Sequence, residues 1–232
     1  NSKKRAASVV FLAKKPYTIS KTHECCNKKY MKFFIVDNGS RYLENIVLRL
    51  VDAGHEYHIQ AYSPFKLLDP KDADCIILSG GMQNEVADDL DNGDPWYRHE
   101  FDLIRTTQLP ILGICLGLQM IAVAFGGSLR KLPHLIETDT KHVHLSNDAK
   151  RYFASIIYTV HEKHQWVVDS YASTGLKMLA YSEDGVEMLY HPTRHIIGTQ
   201  FHPEIDVSSQ SKEIFWSLVN HITAPVGVAH AA

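Results

Sequence analysis

The 232-residue sequence predicts an α/β fold: a mainly parallel sheet flanked by helices, with extra antiparallel strands in its C-terminal half. Three observations carry that expectation. From Met31 to Gly127, short apolar runs alternate with longer amphipathic ones, the pattern of right-handed βαβ units. From 128 to 200, strand-like pieces follow one another without a long helix between them. Hydrophobic residues make up 45% of the chain and charged ones 22%, enough for one sizeable core.

The elements follow in order. KFFIVD (32–37) is a continuous apolar strand that ends in the turn cluster DNGS. The next stretch places Leu43, Ile46, Val47, Leu50 and Val51 on one helical face, and Gly54 closes it. EYHIQAY (56–62) and ADCIILSGG (73–81) read as strands, the second buried and stopped by paired glycines. A helix follows over 94–108, with Asp94 as N-cap and Pro95 at the first helical position. LPILGI (109–114) is the fourth strand, and Leu116–Phe125 a helix directly behind it. KHVHL (141–145), MLAYS (178–182), VEMLYH (186–191) and HIIGTQF (195–201) are the later strands, divided by turn residues such as EDG (183–185). Ile214, Phe215, Leu218, Val219 and Ile222 mark a last helix that Ser208 or Ser209 can cap.

Composition narrows the function classes. A net charge of −2 gives no reason to expect a nucleic acid or membrane partner, and no apolar run nears the roughly 20 residues of a spanning helix. Four cysteines in a chain this long form no disulfide scaffold, so a reducing, cytoplasmic setting is expected. Residues 1–30 carry eight Lys/Arg against the single acid Glu24 and have little apolar periodicity. They read as a leader without a fold of its own or a non-native stretch, with a transit peptide or basic docking arm as the alternative. Residues 31–223 read as a single domain and 224–232 as a tail.

The chemistry concentrates where the fourth strand meets its helix. Gly113-Ile114-Cys115-Leu116-Gly117 puts a thiol on a corner too tight for side chains two residues to either side. The positive end of the following helix favours a thiolate there, and so does any histidine nearby. A buried, inert thiol is the plainer alternative. Near the end, His202-Pro203-Glu204 sets a base and a carboxylate two apart, on one face if the segment is extended. Gly80-Gly81 closes a strand where consecutive N–H groups could meet an oxyanion.

In this order, the glycine pair, the Gly113-to-Gln119 corner and Phe201-His202-Pro203-Glu204 resemble the class I, or triad, glutamine amidotransferases over about residues 31–223. The resemblance implies a flavodoxin-like fold and glutamine hydrolysis through a Cys115–His202–Glu204 triad and a thioester. It implies an oxyanion hole at the backbone N–H groups of Gly81 and Leu116, with Gly80 and Gln119 near the substrate. It also points to segment 160–169 as a substrate wall, with His164, Gln165 and Trp166 lining the pocket. Two departures stand out. Met82 replaces the proline that usually follows the glycine pair, and the Ser-His-Gly-Asp segment of the GMP synthetase amidotransferases is missing, although VDNGS (36–40) is similar to the start of those chains. No Gly-Lys-Ser/Thr phosphate loop occurs, so no ATP site or other cofactor is expected. Released ammonia then implies a partner subunit with synthetase activity. The alternatives are a stand-alone amidase or γ-glutamyl peptidase, or a catalytically silent regulatory module. The spacings of His142 with His144 and of His161 with His164 suit a metal, but no Cys or carboxylate cluster joins them, so no metal site is assigned.

Overall fold

The computed structural model describes residues 30–81, 85–86 and 95–224. The leader up to residue 29, Met82, the proposed cap Asp94 and the tail from 225 lie outside the described residues. Nine strands form one sheet: β1 (Lys32–Asn38), β2 (Glu56–Ala61), β3 (Cys75–Gly81), β4 (Ile111–Ile114), β5 (Ser128–Leu145), β6 (Ile157–Ser170), β7 (Lys177–Ser182), β8 (Gly185–His191) and β9 (Ile196–Thr199). Their order is β2-β1-β3-β4-β9-β8-β7-β5-β6. The first five in that order pair in parallel and the rest antiparallel. The described helices are α1 (Leu43–Asp52), α2 (Arg98–Thr106), α3 (Leu116–Ala124) and α4 (Ser209–Thr223). None of the described helices is long and apolar enough to cross a membrane.

Register explains why the inner strands are apolar on both faces. Ile59, Ile35, Ile77, Leu112 and Ile197 stand side by side across five strands. They pack with Ile46 and Leu50 of α1 and Ile214, Phe215 and Leu218 of α4. One residue along, Phe34, Ile76, Ile111 and Ile196 form the matching row. That row packs with Phe101 and Ile104 of α2 and with α3. A side-chain period of two thus feeds two separate cores, one on each side of the sheet.

Three local expectations are corrected. Pro95 does not start α2: the helix begins at Arg98, after a turn in which the Arg98 N–H bonds the Pro95 carbonyl. Val51 is half exposed, and the polar Arg49 takes the buried side of α1 instead. The segment after β9 does not stay extended. His202 makes one isolated bridge to His161, and Pro203 and Glu204 then turn.

Candidate active site

In open parallel sheets, ligands bind beyond the carboxyl ends of the strands. Here the ends of β1, β3, β4 and β9 carry Tyr42, Gly80-Gly81, Cys115 and His202 to one place. Cys115 occupies the corner between β4 and α3 with φ 53° and ψ −101°, a conformation rare for a residue with a side chain. The corner is held from outside: the Cys115 N–H bonds the Thr199 carbonyl on β9 at 2.7 Å. The flanking glycines are required by close approach. A Cβ on Gly113 would lie 2.6 Å from the Ile121 side chain, and one on Gly117 would lie 2.6 Å from the Leu78 carbonyl. As the first residue of α3, Leu116 has a backbone N–H without an intrahelical acceptor.

The turn at Pro203 still brings His202 and Glu204 together: Nδ1 lies 2.8 Å from Glu204 Oε1, and both side chains are buried. The ring also takes the Cys115 thiol as a hydrogen-bond partner. Burial alone would lower the His202 pKa. The Glu204 charge and the contacts to Cys115 and Glu204 outweigh that and lift it to about 10, so the ring is an imidazolium at neutral pH. Arg49, which sequence reading placed merely inside a helix, holds this loop. Its Nε donates to the Glu204 carbonyl at 3.1 Å and its guanidinium pairs with Asp206.

The glycine pair meets the same centre. A Cβ on Gly80 would come within 3.1 Å of His202 Cε1, and one on Gly81 within 2.6 Å of both the Asn38 carbonyl and the Leu116 side chain. Behind the pair, Asn38 accepts nothing on Oδ1 among the described residues but donates through Nδ2 to Glu100 Oε1 at 3.1 Å. Glu100 is fully buried in α2. Burial raises its pKa from 4.5 to about 8 against the lowering effect of the Asn38 bond, so it is mainly protonated at pH 7. The unfolded chain releases that proton near 4.5, so Glu100 makes stability fall as pH climbs from about 4.5 to about 8. Glu100→Gln is expected to flatten the decline of melting temperature over that window. An unchanged slope in thermal unfolding would contradict the assignment.

A cavity of about 250 Å³ opens beside Cys115. Gly81, Leu116, Gln119, His164, Gln165 and Trp166 all line it, so the structure gathers every expected pocket residue except Gly80, which abuts His202 instead. Gln119 is tied back rather than free: its Nε2 donates to the Trp166 carbonyl at 3.0 Å and to Gln200 Oε1 at 3.3 Å. Gln200 Nε2 in turn reaches the Cys115 sulfur at 3.6 Å, and the thiol reaches the Lys163 carbonyl at 3.8 Å. Gln200 is a site residue that sequence reading passed over, although it stands directly before Phe-His-Pro-Glu. Behind His164, Glu162 and Glu187 are fully buried and hydrogen-bonded to each other. Desolvation raises both pKa values, which lets the pair share a proton. The histidines weighed as metal ligands have other neighbours: His142 faces Thr159, His144 stacks on Tyr181, His161 bonds Asp139 and Tyr42, and His164 bonds Glu162.

Comparison with known proteins gives a consistent result. The family model for class-I glutamine amidotransferases matches residues 34–221. The glutamine-hydrolysing subunit of the GMP synthase of Picrophilus torridus is 32% identical over 197 residues, covering 82% of this chain and 97% of that one. The arginine-specific carbamoyl phosphate synthase small chain of Bacillus subtilis is 29% identical over 203 residues, 85% of this chain but only 53% of its own length. Among solved structures, a Thermoplasma acidophilum protein described as a GMP synthase subunit superposes with a TM-score of 0.69 at 27% identity, covering 84% of this chain and 96% of its own.

Proposed function

The chain belongs to the class-I glutamine amidotransferase family, and from that premise we propose that it hydrolyses the side-chain amide of glutamine at Cys115 and supplies the ammonia to a partner synthetase. The observation that carries this reading is the thiol held on a strained corner against an imidazolium whose other nitrogen is fixed by a buried carboxylate.

The steps follow from that arrangement. The Cys115 sulfur attacks the amide carbon of glutamine, and the carbonyl oxygen becomes an oxyanion received by the N–H groups of Gly81 and Leu116. His202 gives its proton to the departing nitrogen, ammonia leaves, and a γ-glutamyl thioester remains on Cys115. His202, now neutral, takes a proton from water, whose oxygen attacks the thioester and releases glutamate and the thiol. Glu204 keeps Nδ1 protonated and stabilises the imidazolium throughout, the part a carboxylate plays in such triads. Arg41, Lys163 and Glu85 at the cavity give charges of both signs for the ammonium and carboxylate of the amino-acid end. His164, Gln165 and Trp166 form the wall opposite Cys115, with Gln119 and Gly80 supporting the floor. In this reading residues 31–223 act as one amidotransferase domain, and no cofactor takes part.

Relatives named as subunits of larger synthases support a partner. The test is ammonia and glutamate release from glutamine by the purified protein, alone and with an ammonia-dependent synthetase and its ATP. Slow turnover that the synthetase accelerates is expected. Fast turnover alone, or preference for a γ-glutamyl dipeptide, would favour an independent amidase or peptidase. No turnover of either compound would overturn the reading in favour of a regulatory module.

A further inference from the structure

A second hydrogen-bonded chain runs beside the His202–Glu204 pair. Asp139 on β5 lies with Oδ1 2.5 Å from His161 Nδ1, and His161 Nε2 lies 2.8 Å from the Tyr42 hydroxyl. Asp139 is mostly exposed, His161 is buried, and Tyr42 lines the cavity, so the chain leads from solvent to the pocket wall. Its inner end touches His202 twice. The Tyr42 ring stands 4.8 Å from the His202 ring at 71°, and the His161 carbonyl accepts the His202 N–H at 2.9 Å.

We propose that Asp139, His161 and Tyr42 are positioning residues for His202, holding its ring toward the Cys115 sulfur. The proposal rests on the reading of His202 as the acid and base of glutamine hydrolysis. With Nδ1–H donated to Asp139, His161 keeps Nε2 as an acceptor, and the Tyr42 hydroxyl donates to it. That bond fixes the Tyr42 ring as a wall against one side of the imidazolium, while Glu204 anchors Nδ1. Tyr42 stays a phenol: burial raises its pKa, as do the carboxylates of Glu137, Glu204 and Asp139, with Arg41 opposing. The rest of the tyrosine is held from its own end, because the Tyr42 N–H bonds Ser40 Oγ at 3.1 Å and Asp37 Oδ1 takes the N–H groups of Gly39 and Ser40. One residue, His161, therefore sets both the main chain of His202 and the ring beside it.

Two variants test this. Tyr42→Phe keeps the ring and removes the hydroxyl, and Asp139→Asn acts at the exposed end, where packing is undisturbed. Each is expected to lower kcat for glutamine hydrolysis about tenfold with KM within about twofold, since a small displacement of a reacting group acts on the chemical step. The double variant should be little worse than either single one, as for groups acting in one chain. The pH dependence of Cys115 alkylation by iodoacetamide reads the Cys115–His202 pair without substrate. Glu204, Glu162, His164 and Tyr42 surround that pair. Tyr42→Phe should displace the alkylation midpoint, a shift that merely structural support would not cause. Wild-type kcat and an unmoved midpoint in both variants would overturn the positioning role. A displaced midpoint in a protein that hydrolyses no glutamine would keep the positioning role and overturn the functional reading alone.

Discussion

Cys115→Ala is expected to lower glutamine hydrolysis by at least about 10³-fold, because the covalent step has no other nucleophile to use. The other described thiol, Cys75, is buried in the sheet interior, where desolvation pushes its pKa up and no substrate reaches it. Ammonia release measured with the purified variant checks the loss. The same position gives a stability signature that an ordinary core cysteine would not. Its φ of 53° is strained for any residue with a Cβ, at a cost of about 1–3 kcal/mol. Glycine relieves that strain and gives back only about 0.5–1 kcal/mol through the unfolded chain. Cys115→Gly should therefore be as inactive as Cys115→Ala yet unfold at a higher temperature. Equal melting temperatures would remove strain at this corner as a property of the fold.

Glu204→Gln is expected to reduce kcat by about 10²–10⁴-fold, through His202 rather than through any contact with glutamine. The carboxylate is the main influence that lifts His202 above its ordinary 6.5 to about 10 against desolvation. An amide cannot replace that charge, and the ring then becomes a neutral imidazole without a fixed tautomer. The linkage sign is definite. A histidine whose folded pKa is raised contributes stability fully present below about 6.5, and that contribution is lost as pH climbs through about 10. Wild-type stability should therefore fall over this alkaline window, and Glu204→Gln should fall less steeply. Thermal unfolding across the window and kcat at each pH measure the two effects. A variant with wild-type kcat would contradict the role of Glu204.

Much of this was legible before the structure. The parallel half of the sheet announced itself because its strands are buried on both faces and so read as unbroken apolar runs, as in KFFIVD and CIIL. The corner at Cys115 was legible because Gly113 and Gly117 are demanded by contacts at 2.6 Å, which leave a trace in residue type. The β5–β6 ribbon was less legible. Its β6 strand buries His161, Glu162 and His164 where a strand pattern calls for apolar residues, because those positions face a pocket and a buried carboxyl pair. Arg49, Gln200 and Tyr42 escaped for a different reason. Each acts across a long stretch of chain, on Glu204, Cys115 and His161 respectively, and only the topology brings those partners near.

The central claim, that Cys115 carries a γ-glutamyl group during turnover, is tested most directly by acid quench of the enzyme mixed with glutamine, followed by mass analysis of the peptide holding residue 115. A γ-glutamyl adduct is predicted on that peptide in wild type, accumulating more in a His202→Asn variant if attack by water slows more than acylation, and absent in Cys115→Ala. Glutamate and ammonia formed at full rate by Cys115→Ala, or an adduct found on a different residue, would contradict it.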